Sequence, residues 1–116
     1  MKAQATLALR KLVGRIRMSP GSDWSNPDMA RSVHMSERTF LRVFKKEFGT
    51  TPKAVVVKQR MILARQRLEF TDDSVETIAR ELGYANLRTF SDLFLAHVGE
   101  RPTHIRRRLR DSANPR

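Results

Sequence analysis

The chain has 116 residues, with 23 lysines and arginines against 12 aspartates and glutamates, a formal net charge of +11. It has no cysteine, which excludes disulfides, thiolate zinc sites and cysteine nucleophiles, and apolar runs such as residues 54–57 are far too short for a membrane span or a signal peptide. The length fits one compact domain, and the excess of positive charge favours a polyanionic partner. We expect the protein to be cytoplasmic.

Apolar residues recur at the helical period of about 3.6 along nearly the whole chain, so we predict an all-α fold of about seven helices. The first helix carries an apolar stripe and ends at the turn-forming segment 19–22. Asn26 then predicts an N-cap, with Pro27 at the first position of a short second helix that runs through Val33. The stripe on the first helix consists of Leu7, Leu9, Leu12, Val13 and Ile16.

Ser36 is the predicted N-cap of a third helix, which Gly49 ends. A fourth and longer helix begins at residues 51–52 and carries an apolar seam that can pack along its length, and the acidic loop 71–73 follows it. The inward residues of the third helix are Phe40, Val43, Phe44 and Phe48, and the seam consists of Val57, Met61, Ala64 and Leu68.

Three more helices complete the prediction. Ser74 caps the fifth helix, which Gly83 ends, and the sixth runs from about Asn86 to Val98. Pro102 opens the seventh. The expected inward residues are Val75, Ile78, Ala79 and Leu82 on the fifth helix, and Phe90, Leu93, Phe94 and Val98 on the sixth.

The chain contains one frame twice, as "MARSVHMSERTFLRVFKKEFGTTP" at residues 29–52 and "IARELGYANLRTFSDLFLAHVGERP" at residues 78–102. Each copy predicts a short helix, a tight turn and a longer helix, which is the helix-turn-helix plan. A small residue, Ala30 or Ala79, lets the two helices cross closely, and two phenylalanines four residues apart hold one face of the longer helix to the core. The opposite face then points outward, where it can enter a DNA major groove.

These residues resemble the DNA-binding domain of the AraC/XylS family of bacterial transcription regulators, over roughly residues 24–109. The resemblance rests on both copies of the frame, on the linker pattern Arg60, Ala64 and Leu68, and on residues 105–106. It implies two helix-turn-helix subdomains, joined by one long helix, that dock into successive major grooves of double-stranded DNA. A linker of residues 52–70 would span about 28 Å, against about 34 Å between neighbouring grooves.

We therefore expect four segments along the chain. Residues 1–51 form the first helix-turn-helix subdomain, residues 52–70 the linker helix, residues 71–110 the second subdomain, and residues 111–116 a frayed polar tail.

The first recognition helix presents residues suited to reading DNA. Arginine can bind guanine through two hydrogen bonds, leucine can contact a thymine methyl group, and lysine suits phosphate. The predicted DNA-binding residues of this helix are Ser36, Arg38, Thr39, Leu41, Arg42, Lys45 and Lys46.

The second recognition helix departs from the family pattern, which commonly has basic residues at the positions of Asp92 and Leu95. Asp92 either accepts a hydrogen bond from a cytosine amino group or pairs with Arg88, and we expect this helix to read DNA more weakly. Its predicted DNA-binding residues are Asn86, Leu87, Arg88, Thr89, Ser91 and Asp92.

Further cations are predicted to contact the phosphate backbone, namely Lys53, Arg106 and Arg107. The basic run of residues 106–110 has two interpretations: it clamps the DNA backbone, which we favour, or it solvates the last helix.

No residue pattern predicts catalysis, a cofactor or a metal. The histidines, His34, His97 and His104, lack the spacing of a metal site, and the glycines form no phosphate-binding loop. We therefore expect a protein that is not an enzyme.

The main alternative is a basic helical module that binds RNA or the ribosome, although the aromatic residues lie at inward helix positions, not on an exposed stacking platform. The resemblance also implies possible partners: RNA polymerase, and an effector or dimerisation domain upstream in a longer chain. The chain fits either a stand-alone member or, as we favour, the DNA-binding piece of a longer regulator.

Overall fold

The computed structural model describes residues 2–113, and within them the chain forms helices and no strand. This confirms the all-α prediction. The helices are α1 (Lys2–Met18), α2 (Asn26–Ser32), α3 (Glu37–Phe48), α4 (Pro52–Phe70), α5 (Val75–Glu81), α6 (Leu87–Val98) and α7 (Pro102–Ala113).

Side-chain caps fix the starts of the two predicted recognition helices. Ser36 Oγ accepts a hydrogen bond of 3.2 Å from the Thr39 amide at the start of α3. Asn86 Oδ1 accepts bonds from the Arg88 and Thr89 amides, at 2.8 and 3.2 Å, at the start of α6. These bonds satisfy amides that have no partner within the helix, which confirms the predicted N-cap Ser36 and adds Asn86 as the N-cap of α6.

Four helix ends differ from the prediction, and one of them is the C-terminal end of α2, which lies at Ser32 and not at Val33. The N-cap of α2 is Ser25, whose Oγ accepts from the Asp28 amide, so Asn26 already lies inside the helix. The prediction placed the cap one residue late because serine and asparagine are both good caps and adjoin here. The C-cap of helix α5 is Leu82, one residue before Gly83, the residue predicted to end this helix. Helix α7 continues through Ala113, so the first half of the expected tail is helical, and residues 114–116 lie outside the described residues.

The chain divides into two compact units between Gln59 and Arg60, within α4. In the first unit α2 packs against α3, and in the second α5 packs against α6 and α6 against α7. Each unit therefore contains one copy of the repeated frame and a part of α4.

The first unit encloses a core of apolar side chains from α1 to α4. Leu7, predicted to face inward, is instead 53% exposed, because four other residues of α1 already fill the inward face. On α4, Val56 is buried although it was not among the predicted seam residues, and the seam residue Val57 is partly buried. The buried residues are Leu9, Leu12, Val13, Ile16, Met29, Ala30, Val33, Phe40, Phe44 and Val56.

The second unit buries the remaining three seam residues of α4. Ala79 lies buried where α5 meets α6, as Ala30 lies buried where α2 meets α3. The buried residues of this unit are Met61, Ala64, Leu68, Ile78, Ala79, Leu82, Phe90, Phe94 and Ile105. The two copies therefore build their cores from matching positions.

Candidate nucleic-acid interface

Packing determines which face of α3 reaches solvent. Phe40 and Phe44 are fully buried, with ring centroids 5.7 Å apart in an edge-to-face arrangement. Since residues four apart lie on the same side of a helix, these rings fix α3 by one face. The opposite face is thereby held outward.

The outward face of α3 is cationic. Arg38, Arg42, Lys45 and Lys46 are all exposed, and none of them has an ion pair or side-chain hydrogen bond with the part of the chain that the structure describes. Glu47 instead pairs with Arg10 of α1, at 3.6 Å. This face can therefore offer its charges to an external anion without first breaking internal bonds.

A groove of about 560 Å³ joins α3 to the start of α4. Three cations line it: Arg42 and Lys45 from α3, and Lys53 from the first turn of α4. Thr51 also lines it and caps α4, since its Oγ1 accepts from the Ala54 amide at 3.1 Å. The structure thus brings predicted base-contacting and phosphate-contacting residues to one place.

The other predicted residues of α3 have mixed surroundings. Leu41 is partly buried and lines the same groove, and Thr39 is also partly buried. Ser36 is exposed, but its hydroxyl oxygen already caps the helix.

The outward face of α6 differs from that of α3 in charge. Asp92 occupies its middle, with Oδ2 3.9 Å from Arg88 Nε and Oδ1 3.4 Å from Arg101 Nη1. Arg101 Nη1 also donates to Ser91 Oγ at 3.2 Å. The pairing of Asp92 with Arg88 was one of the two predicted alternatives, whereas Arg101 was not among the predicted residues.

The remaining predicted residues of α6 lie at its exposed start. Leu87 is 45% exposed, and Thr89 is exposed. Asn86 is exposed as well, with its side-chain oxygen used in capping.

Three of the four arginines at residues 106–110 make internal contacts. Arg106 Nε donates to the Leu68 carbonyl at 3.1 Å and Nη2 to the Thr71 carbonyl at 3.2 Å, at the C-terminal end of α4. Arg110 donates to the same Thr71 carbonyl and pairs with Asp72 at 2.9 Å. Within the described residues, Arg107 alone of the four has no such contact.

The surroundings of Arg106 and Arg108 also shift pKa values in the second unit. Partial burial, with the nearby charge of Arg110 as a lesser cause, lowers the pKa of Arg106 from its usual high value. A hydrogen bond from Arg108 lowers the pKa of Glu100. Both arginines therefore have hydrogen-bond partners within the second unit.

The described residues contain no group of three or more histidine, aspartate or glutamate side chains that could hold a metal ion. His104 Nδ1 lies 2.9 Å from Glu100 Oε2, within the cluster around Arg108. None of the described helices has the length and apolar content that a membrane span requires.

The chain is similar in sequence to a known protein family and to curated relatives. A family model described as a helix-turn-helix domain matches residues 29–108, which include both copies of the frame. The RCS-specific HTH-type transcriptional activator RclR of Escherichia coli is 35% identical over 94 residues, covering 81% of this chain and 33% of the relative. The regulatory protein PocR of Salmonella typhimurium is 30% identical over 107 residues, covering 92% of this chain and 35% of the relative. The chain thus spans about a third of the length of these curated relatives.

Solved structures of DNA-binding transcription regulators also resemble this chain. The DNA-binding domain of the global transcriptional factor AdpA, solved with a target DNA, superposes with a TM-score of 0.84 at 26% identity, covering 92% of this chain and 98% of that domain. An AraC-type regulator from Chromobacterium violaceum superposes with a TM-score of 0.81 at 27% identity, covering 94% of this chain and 97% of that one.

Proposed function

Since the chain belongs to the AraC-type helix-turn-helix family of DNA-binding transcription regulators, we propose that it binds double-stranded DNA at specific sequences and thereby regulates transcription. The observation that carries the proposal is the outward face of α3, on which Arg38, Arg42 and Lys45 are exposed and unpaired within the described residues. A cationic helix face that is rigidly held outward suits the major groove.

The residues of the first unit have distinct roles in this proposal. Arg38 and Arg42 contact base edges, because a guanidinium can donate two hydrogen bonds to guanine O6 and N7. Lys45 and Lys53 flank the groove beside α3 and hold a backbone phosphate there. Leu41 contacts a thymine methyl group, and Lys46, further round the helix, also meets phosphate.

The second unit contributes through α6. Arg88 reaches bases, and Arg107, which has no hydrogen bond or ion pair within the described residues, meets the phosphate backbone. We assign Arg106 to the end of α4 in place of the phosphate contact expected from the sequence, because its guanidinium already donates to two carbonyls there. Reading of successive major grooves implies two recognition sequences about one helical turn apart.

We infer two further partners from the names and lengths of the relatives. RclR carries the name of an activator, and a contact with RNA polymerase is consistent with such a role. The relatives are about three times as long as this chain, which is consistent with the predicted effector or dimerisation domain. A role as a DNA-binding regulator in the cytoplasm, without catalysis, completes the proposal.

Selection from a pool of duplexes with a randomised central segment tests this function. We expect the chain to enrich two short sequences about 10 base pairs apart, centre to centre. The enriched duplex should then compete for the protein far better than a structured RNA of equal length at the same salt concentration. Enrichment of no sequence, together with equal competition by the RNA, would favour the RNA-binding alternative and contradict the proposal.

A further inference from the structure

The two units differ by an exchange of residues at a pair of matching positions. In the alignment of the two copies, Arg42 corresponds to Asp92 and Thr51 corresponds to Arg101. The first unit thus has an arginine in the middle of its recognition helix and a small residue in the following loop. The second unit has a carboxylate on the helix and the arginine in the loop.

The structure brings the exchanged residues of the second unit together. Arg101 reaches back across α6, where Nη1 lies 3.2 Å from Ser91 Oγ and 3.4 Å from Asp92 Oδ1. Its Nε and Nη2 groups have no partner within the described residues. The guanidinium is therefore held by one nitrogen, and its other donors remain available to a ligand.

Arg88 approaches the same carboxylate from the preceding turn of α6, with Nε 3.9 Å from Asp92 Oδ2. Asp92 thus lies between two arginines on the outward face, and all three side chains are more than half exposed, at 89% for Arg88, 56% for Asp92 and 54% for Arg101. A lone carboxylate would be repelled by DNA phosphates, but this cluster carries a net positive charge.

We propose that Asp92 is a positioning residue that holds Arg101 over α6, so that Arg101 serves in the second unit as the base-reading arginine that Arg42 provides in the first. The proposal rests on the function proposed above. It predicts that the second unit reads sequence through an arginine outside its recognition helix. A fixed guanidinium loses less freedom on binding, and its unused donors can meet guanine O6 and N7.

The experiment uses the full chain and the enriched duplex described above, with each of its two recognition sequences scrambled in turn. Arg42→Ala first identifies the recognition sequence that α3 reads, since scrambling that sequence affects this variant less than it affects the wild-type chain. The other sequence belongs to the second unit. The measured quantity is the ratio of the Kd for the duplex scrambled in that second sequence to the Kd for the intact duplex.

Four variants separate positioning from plain charge. Asp92→Asn removes the carboxylate, and Arg101→Gln removes the guanidinium. Arg101→Lys keeps the positive charge but lacks the paired N–H donors of the guanidinium. A double variant combines Asp92→Asn with Arg101→Gln. Asp72→Asn is the matched control, because it makes the same charge change in the same unit, at a side chain that is 96% exposed and pairs with Arg110. Circular dichroism checks that each variant remains helical.

Asp92→Asn, Arg101→Gln and Arg101→Lys should each lower the ratio roughly tenfold, as the loss of a good bidentate base contact does. The double variant should lower the ratio no further than the single variants do, because Asp92 and Arg101 act together and either change alone already removes their joint effect. The Asp72→Asn control should leave it unchanged.

Two results would overturn the proposal while leaving the proposed function intact. In one, Asp92→Asn tightens binding to intact and scrambled duplexes alike at an unchanged ratio, which would mean that Asp92 only repels phosphate. In the other, Arg101→Lys retains the full ratio, which would mean that only its charge matters. By contrast, failure of the wild-type chain to enrich any sequence would contradict the proposed function itself.

Discussion

Arg106 and Arg107 are neighbours in the sequence with different surroundings in the structure. Arg106 is partly buried and donates to the Leu68 carbonyl, in the last turn of α4, and to the Thr71 carbonyl, directly after that helix. Arg107 is exposed and has no such contact within the described residues. Identical side chains therefore have separate roles, one in stability and one at the surface.

Replacement of each arginine by alanine should separate these roles. Arg106→Ala should lower the free energy of unfolding by about 1 to 3 kcal/mol, because it removes two charge-assisted hydrogen bonds. Arg107→Ala should leave stability unchanged and weaken binding to all duplexes alike. Urea unfolding and duplex titration measure the two effects. Equal losses of stability in both variants would contradict the assignment.

His34 has a left-handed backbone conformation, with φ of 59°, in the turn between α2 and α3. Its counterpart in the second copy is Gly83, with φ of 95°. Because a Cβ atom is unfavourable in this conformation, His34→Gly should stabilise the protein by up to about 1 kcal/mol. Urea unfolding tests this, with His34→Ala as the control that keeps the Cβ atom. A loss of stability in His34→Gly would show that the imidazole stabilises the turn.

Asp73 should make the stability of the second unit depend on pH. A hydrogen bond from Arg67, 2.7 Å long, is the main cause that lowers the pKa of Asp73 in the folded chain. The stabilisation is therefore fully present above the ordinary aspartate pKa of about 4, and it is lost as the pH falls through the lower pKa of the folded state. Asp73→Asn should reduce stability at pH 7, and its unfolding curve should converge with that of the wild type at acid pH. A constant difference at every pH would contradict this account.

Helices α3 and α6 end in the same way, because Gly49 and Gly99 have φ of 71° and 92° and their amides bond to the carbonyls of Lys45 and Leu95. A Cβ atom at either glycine would meet no atom within 4 Å, so alanine there is opposed only by the backbone conformation. The helix ends thus allow a clean test of backbone strain.

Gly49→Ala and Gly99→Ala should each lower the free energy of unfolding by about 1 kcal/mol. Gly14→Ala is the matched control, since Gly14 lies inside α1 with open space around it, where alanine should instead stabilise by about 0.5 to 1 kcal/mol. Equilibrium urea unfolding measures all three variants. A neutral result at both Gly49 and Gly99 would contradict the role of these residues as helix caps.

The helices could be predicted from the sequence because their signals are local. Ser36, Asn86 and Ser74 act as N-caps through bonds to amides two or three residues ahead, and the buried phenylalanines recur every four residues. Leu7 was predicted wrongly and the buried Val56 was missed, because periodicity gives the apolar face of a helix but not how far the neighbouring elements cover it.

At the scale of the whole molecule, the net charge of +11 is distributed unevenly over the two recognition helices. Helix α3 carries four cations and two carboxylates, whereas α6 carries only Arg88 and Asp92. Many of the other arginines in the second unit pair with carboxylates or carbonyls, as Arg67, Arg108 and Arg110 do. Composition predicted a polyanionic partner, and the structure indicates that α3 has the larger share of unpaired charge.

The partners of individual arginines were beyond the reach of the sequence. Arg106 contacts residues 35 and 38 positions earlier, and Arg101, in the loop after α6, contacts a carboxylate nine positions earlier on that helix. Such contacts depend on how elements pack, whereas the predicted pairing of Arg88 with Asp92 lies within one helix. The sequence predicted the recognition faces, and the roles of their residues in DNA binding stay predictions.

Titration of Arg42→Ala and Lys45→Ala against the enriched duplex and a scrambled one, at several salt concentrations, tests most directly that α3 reads sequence. Arg42→Ala should reduce the discrimination between the two duplexes by about 1 to 3 kcal/mol. Lys45→Ala should weaken binding to both duplexes equally and reduce the slope of log K against log salt by about one unit. Full discrimination by Arg42→Ala would contradict the account, because it would place sequence reading outside α3.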